Sequence, residues 1–116
     1  MTTIRIADYA RSPGGRFISD GPFSGEWFRE EILRPALAAA IDAGQKLNVE
    51  MDGTSGYGSS FLEEAFGGLI RKRLFPASVV YRSLVFVAKR PLYAPYKALA
   101  ERYVLGAKPE AVSVAA

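Results

Sequence analysis

Residues 56–68 read GYGSSFLEEAFGG, so Ser59 and Ser60 stand behind a glycine-tyrosine-glycine turn and just ahead of Glu63 and Glu64. Hydroxyls beside carboxylates at the start of a helix permit three kinds of chemistry. They are nucleophilic attack, anion binding on the free N–H groups of the first turn, and covalent modification of a hydroxyl. A serine nucleophile needs a base, and the 116 residues contain no histidine. Glu63, Glu64 or Asp52 would have to serve, and only if desolvated. There is no cysteine, which excludes thiol nucleophiles, disulfides and zinc-thiolate sites. The phosphate-loop pattern GxxxxGK[ST] is absent because no lysine follows the glycines, and two acidic residues in the first turn oppose a phosphate. Neither catalysis nor a metal nor a cofactor is expected.

The remaining residues of the stretch divide by duty. Ser60 and Glu63 have the spacing of a capping box, in which each side chain satisfies the other's backbone donor. Gly67 and Gly68 each cost a helix roughly 1 kcal/mol relative to alanine, and close approach of the helix to a sheet would justify them. Paired carboxylates on such a helix are expected to be solvated charge. Ser59, one residue ahead of that expected cap, has no such duty. It is the hydroxyl to watch.

The elements that must position it follow from periodicity. Thr3 to Ala7 alternates as a strand, Ser12-Pro13-Gly14-Gly15 is turn chemistry, and Arg16-Phe17-Ile18 reads as a returning strand, giving a β-hairpin. After the loop SDGPFS, Ser24 is the expected N-cap of a helix, with Phe23 and Phe28 as its hydrophobic staple. Phe28, Ile32, Leu33, Ala36, Leu37, Ala40 and Ile41 form one apolar stripe. Pro35 should kink that helix or split it near Glu31, and Gly44 ends it. Leu47 to Met51 alternates as a strand, and the serine helix follows, ending at Leu74-Phe75-Pro76. Leu84 to Ala88 reads as a central strand, although an edge strand used for self-association fits too. Pro91 starts a last helix, about Leu92 to Tyr103. The expected fold is a small α/β domain over 1–105, a mixed sheet of about four strands with three helices mainly on one face. The tail 106–116 is expected to be loose.

Composition limits the function classes. About half the residues (49%) are apolar and 23% are charged, the balance of a globular chain. The formal charge of +3 is mild. Arg71-Lys72-Arg73 suits a helix C-terminus, and no aromatic-rich basic motif argues for nucleic acid. Neither a signal core nor an apolar run of the ~20 residues needed to cross a bilayer is present. A cytoplasmic location is expected.

Met51-Asp52 ending a strand, followed by Gly58-Ser59-Ser60-Phe61-Leu62 opening a helix, resembles the STAS domain of bacterial anti-sigma-factor antagonists. The blocks SDGPFSGEWFREEILRPAL and DGTSGYGSSFLEEAFGGL resemble more closely the STAS-like family of unknown function, over about residues 15–75. Beyond Phe75 the likeness is one of topology. The resemblance implies a non-enzymatic regulator whose Ser59 stands where the antagonists are phosphorylated by a GHKL-type ATPase partner. On that resemblance Asp20, Phe23, Asp52, Thr54, Tyr57, Gly58, Ser60 and Glu63 are the partner-binding candidates. The sequence departs from the antagonist motif at Gly58, in place of an acidic residue, at Phe61, in place of glycine, and in a shorter loop after Asp52. Two other functions fit the same features: a nucleotide or small-anion binding domain, and a mobile-element-encoded inhibitor of a host protein.

Overall fold

Three short strands alternate between a buried and a solvated face, and that alternation fixes their pairing. β1 (Thr2–Arg5), β2 (Leu47–Glu50) and β3 (Leu84–Val87) form a parallel sheet in the order β1-β2-β3, with Ile4, Val49 and Phe86 in register. The computed structural model that shows this describes residues 2–112. Leu47, Val49, Leu84 and Phe86 are buried on one face. The other carries Arg5, Glu50 and Val87, where Glu50 takes ion pairs from Arg5 at 3.3 Å and Lys89 at 3.0 Å. A slip of one residue would exchange these faces, so register is strongly specified.

The expected mixed sheet with an N-terminal hairpin is corrected. Arg16-Phe17-Ile18 forms no strand, and Ile18–Asp20 is instead a 3-10 turn. The backbone of this segment is used elsewhere: Gly14 N–H bonds Phe23 O, while Gly15 O and Arg16 O accept from Gly25 and Glu26 N–H. Nothing is left over to pair with β1. Leu84–Val87 is an edge strand, because β2 is the middle one.

Sequential parallel strands require right-handed crossovers, and these place the connecting helices on the same face of the sheet. α1 (25–42) is α-helical over Gly25–Phe28, π-helical over Arg29–Leu33, and α-helical again over Arg34–Asp42. The widened turn, with Arg34 N–H reaching Arg29 O, sits just ahead of Pro35. A π turn removes the clash of the proline ring with the carbonyl four residues back, so the helix continues without a break. α2 (59–71) runs α over Ser59–Leu62, π over Glu63–Gly67 and α over Gly68–Arg71. α3 (Ala77–Ser83) is a fourth helix where none is expected, and α4 (Ala94–Gly106) follows the 3-10 turn Pro91–Tyr93.

Phe28, Leu33 and Leu37 of α1 and Phe61, Phe66, Leu69 and Ile70 of α2 are fully buried against β2 and β3. Phe66 meets Phe86 edge-on at 4.7 Å, and Phe28 meets both Phe61 and Phe66. Each such side chain contributes about 1.5–3 kcal/mol of burial. Glu110 N–H bonds Arg71 O, and Arg73 Nε donates to Glu110 O, so this part of the expected loose tail lies along the end of α2. Its last four residues, 113–116, lie outside the described residues.

Candidate functional site

Because all three strands are parallel, the segments that follow them, and the starts of α1, α2 and α4, gather at one end of the sheet. In open α/β sheets ligands bind outside the carboxyl ends of the strands. Ser59 opens α2 there. Gly58, with φ −76° and ψ 151°, is the N-cap and contributes its carbonyl to Leu62 N–H at 3.2 Å. No side chain caps the helix. The expected Ser60–Glu63 box is therefore absent: Glu63 is drawn to arginines instead. Ser59 and Ser60 are both exposed, and neither hydroxyl bonds to another described residue.

The loop leading to Ser59 is held on every side. Asp52 accepts from the N–H groups of Lys89 and Arg90 at 2.8 and 2.9 Å, tying the ends of β2 and β3 together. Thr54 is buried, takes Gly56 N–H on its Oγ1 at 3.2 Å, and gives its carbonyl to the Tyr93 hydroxyl at 2.5 Å. The Tyr57 hydroxyl donates to Met51 O at 2.6 Å, and burial pushes that phenol up. Gly56, at φ 120°, lies under Tyr96, whose hydroxyl would be 2.8 Å from a Cβ. Of the candidates in this loop, Asp52, Thr54 and Tyr57 set its shape. Gly58, Ser59 and Ser60 are what it presents.

A second exposed segment adjoins the first. Ser24 caps α1, its Oγ accepting Trp27 N–H at 3.0 Å, and it is buried. Asp20 accepts Phe17 N–H at 2.8 Å. Phe23 does not staple to Phe28, which is buried in the core; it leaves the loop at φ 58° and packs edge-on against Trp27 at 5.4 Å. A bulky side chain in the left-handed region costs energy. Here it presents an aromatic ring 42% exposed beside Ile18, 57% exposed, over a cleft of about 290 Å³ that Gly21 and Pro22 also line. The two segments touch at their helix starts, since a Cβ on Gly25 would lie 2.5 Å from Phe61 O.

Beneath both runs an ionic cluster that the sequence reading missed. Glu64 is 2% exposed in its side chain. Its Oε2 takes Arg29 Nη1 at 2.5 Å, and its Oε1 takes Arg71 Nη2 at 3.1 Å and Arg16 Nη1 at 3.3 Å. Arg29 also reaches Glu64 O at 2.8 Å and Glu30 at 3.0 Å. Glu63 is bound by Arg16 and, at 3.2 Å, by Arg71. Burial alone would raise the Glu64 carboxyl; the Arg29 hydrogen bond and the neighbouring guanidiniums overcome it and hold the group below the usual range. Glu30 is lowered in the same way by Arg29 and Arg34 against its own burial. The Glu63 bond raises Arg16. Burial would lower Arg29, but Glu64 and Glu30 reverse that.

Gly68 explains part of this arrangement: a Cβ there would meet Arg29 Nη1 at 2.5 Å, and Gly67 faces Glu63 and Tyr103 O of α4. These glycines admit side chains and a helix, not the sheet. A signal was present in the sequence, since Glu64 falls on the Phe61–Gly68 face of α2, where solvated charge has no place.

Among the described residues no group of acidic side chains is arranged to hold a metal, and no helix is long and apolar enough to cross a membrane. The model of one protein family, a STAS-like domain of unknown function (DUF4325), matches residues 24–88. No curated protein and no solved structure matches the chain. The matched range begins at Ser24, just beyond Asp20 and Phe23, and extends past Phe75 to take in α3 and β3. It spans more than half the chain and includes the whole turn from Asp52 to Leu62. The chain belongs to the family of STAS-like domains of unknown function.

Proposed function

We propose that this chain is a non-enzymatic regulatory domain that binds a protein partner through the start of α2 at Ser59 and the adjoining SDGPFSG loop. A GHKL-type ATPase is the partner class that the STAS resemblance implies, and phosphorylation of Ser59 is the switch. The observation that carries the reading is the contrast within one turn: Asp52, Thr54 and Tyr57 are spent on the fold, whereas the Ser59 hydroxyl is exposed and unengaged. Phe23 supports it, because an exposed aromatic ring on a strained, anchored loop has the character of an interface anchor. Phosphate would add about −1.5 to −2 charges at the positive end of α2. Glu63 and Glu64 oppose it little, being neutralised by Arg16, Arg29 and Arg71. The new charge would then act mainly on the partner.

Affinity capture with the wild-type chain, followed by phosphosite mapping, tests this. One protein partner is expected, with the captured complex weakened about tenfold or more by Ser59→Asp and by Phe23→Ala, and unchanged by Ser59→Ala. Binding indifferent to both Ser59→Asp and Phe23→Ala would refute it.

A further inference from the structure

β1 and β3 are the two edges of the sheet, and they differ. β1 is guarded by Thr2, bonded through Oγ1 to Gln45 at 3.0 Å, and by the charged Arg5, features that discourage further pairing. β3 has no such guard. Met51 N–H reaches the Val87 carbonyl at 2.9 Å, so Val87, and Val85 by the period of two, turn their backbone groups toward β2. The N–H and C=O of Phe86 therefore point to the open edge, where no described residue bonds to them. Phe86 is only 6% exposed. That figure belongs to the whole residue, whose ring lies against Phe66; unpaired backbone groups along an open edge are a template for a further strand.

This edge forms one wall of a cleft of about 480 Å³, whose opposite wall is α4. Lys97, Glu101, Val104 and Leu105 line it at helical spacing, and Tyr81 of α3 stands at its rim. Leu105 is 68% exposed and Tyr81 47%. Lys97 and Glu101, one turn apart, make no ion pair with any described residue.

We propose that this groove is the contact between two copies of the chain. β3 pairs antiparallel with the partner's β3 across a two-fold axis, and Phe86 exchanges both backbone hydrogen bonds with the partner's Phe86. The two sheets join into one of six strands, leaving the guarded β1 edges outermost. α4 lies antiparallel to the partner's α4, with Lys97 facing the partner's Glu101. The charges select this occupant. Opposite charges one turn apart on one helix are matched when the same helix is rotated by a two-fold, whereas an unrelated apolar strand would leave both unmatched. α4 starts at the Ser59 end, where Tyr96 covers Gly56, but the cleft residues Tyr81, Glu101, Val104 and Leu105 belong to neither segment of the Ser59 proposal, so either proposal can fail alone.

Sedimentation velocity of the full chain over a range of concentrations tests it. The mass is expected to rise with concentration toward twice 12.6 kDa. Leu105→Lys and Tyr81→Lys, at exposed positions, should hold it at the monomer value with an unchanged circular dichroism spectrum. Lys97→Glu and Glu101→Lys should each weaken association about tenfold, and an equimolar mixture of the two should recover it, since an all-acidic face then meets an all-basic one. A wild-type chain that stays at 12.6 kDa throughout overturns the proposal. So does a dimer that survives Leu105→Lys, or charge reversals that the mixture does not rescue.

Discussion

Glu64 is a charge in the core, and Ser59 is a small polar group on the surface; their substitution should have opposite consequences. Removing one partner of a buried ion pair costs about 3–5 kcal/mol because the other charge is left unpaired. Glu64→Gln should therefore lower stability in urea denaturation by an amount of that order. Arg29 keeps Glu30 at 3.0 Å, which places the expected loss at the lower end. The double change Arg29→Met with Glu64→Leu should cost less than the two single changes summed, since an apolar pair of similar volume relieves the desolvation of both groups. Ser59→Ala should change stability by no more than about 0.5 kcal/mol. Ser24→Ala, which removes the bond to Trp27 N–H, should cost about 1 kcal/mol. A large loss at Ser59 would mean that its hydroxyl belongs to the fold after all.

Helix packing reverses the usual effect of glycine. In a free helix Gly→Ala gains about 1 kcal/mol; at Gly58, where φ is −76° and nothing lies within 4 Å of a Cβ, the unfolded-state gain of about 0.4–1 kcal/mol is offset by alanine being the poorer N-cap, so little net change is expected. At Gly68 the Cβ would stand 2.5 Å from an Arg29 guanidinium that cannot retreat without leaving Glu64. Gly68→Ala should therefore destabilise, by about 1–3 kcal/mol of overpacking; its melting curve should fall while that of Gly58→Ala stays close to the wild type. The same coupling limits what was legible in the sequence. The stripes of α1 and α2, the Ser24 cap and the alternation of β2 are local patterns, and each was readable. The capping box failed because Glu63 had a stronger partner in Arg16, forty-seven residues away. α3 was hidden because its seven residues are too few to show a helical period and its β-branched Val79-Val80 pair lowers helix propensity. The hairpin failed because Gly15 and Arg16 carbonyls bond to the start of α1. The Ser59 turn could be found from its motif alone, but its division into shape-setting and presented residues depends on Tyr93, Lys89 and Arg90, which arrive with β3 and α4.

Across the molecule these pairs combine into a stability that depends on pH at its extremes and not between them. The folded values of Glu64 and Glu30 lie below the usual carboxylate range. Their contribution is full above the unfolded value of about 4.3 and is lost as pH falls through the lower folded value. Tyr57 is raised by burial, so its contribution is present below the unfolded phenol value of about 10 and is lost as pH climbs past it. The raised arginines act only at still higher pH. With no histidine in the chain, no side chain with an ordinary value titrates between about pH 5 and 8. The denaturation midpoint should therefore be nearly level from about pH 6 to 9. Below about pH 4 it should fall steeply, helped by the repulsion of fifteen lysines and arginines as the carboxylates discharge. Glu64→Gln should start from a lower plateau and show a shallower acid limb, because its amide has no proton to gain. Tyr57→Phe should flatten the alkaline limb while losing the bond to Met51 O. An acid limb as steep in Glu64→Gln as in the wild type would remove Glu64 from the acid response and assign it to the surface charge.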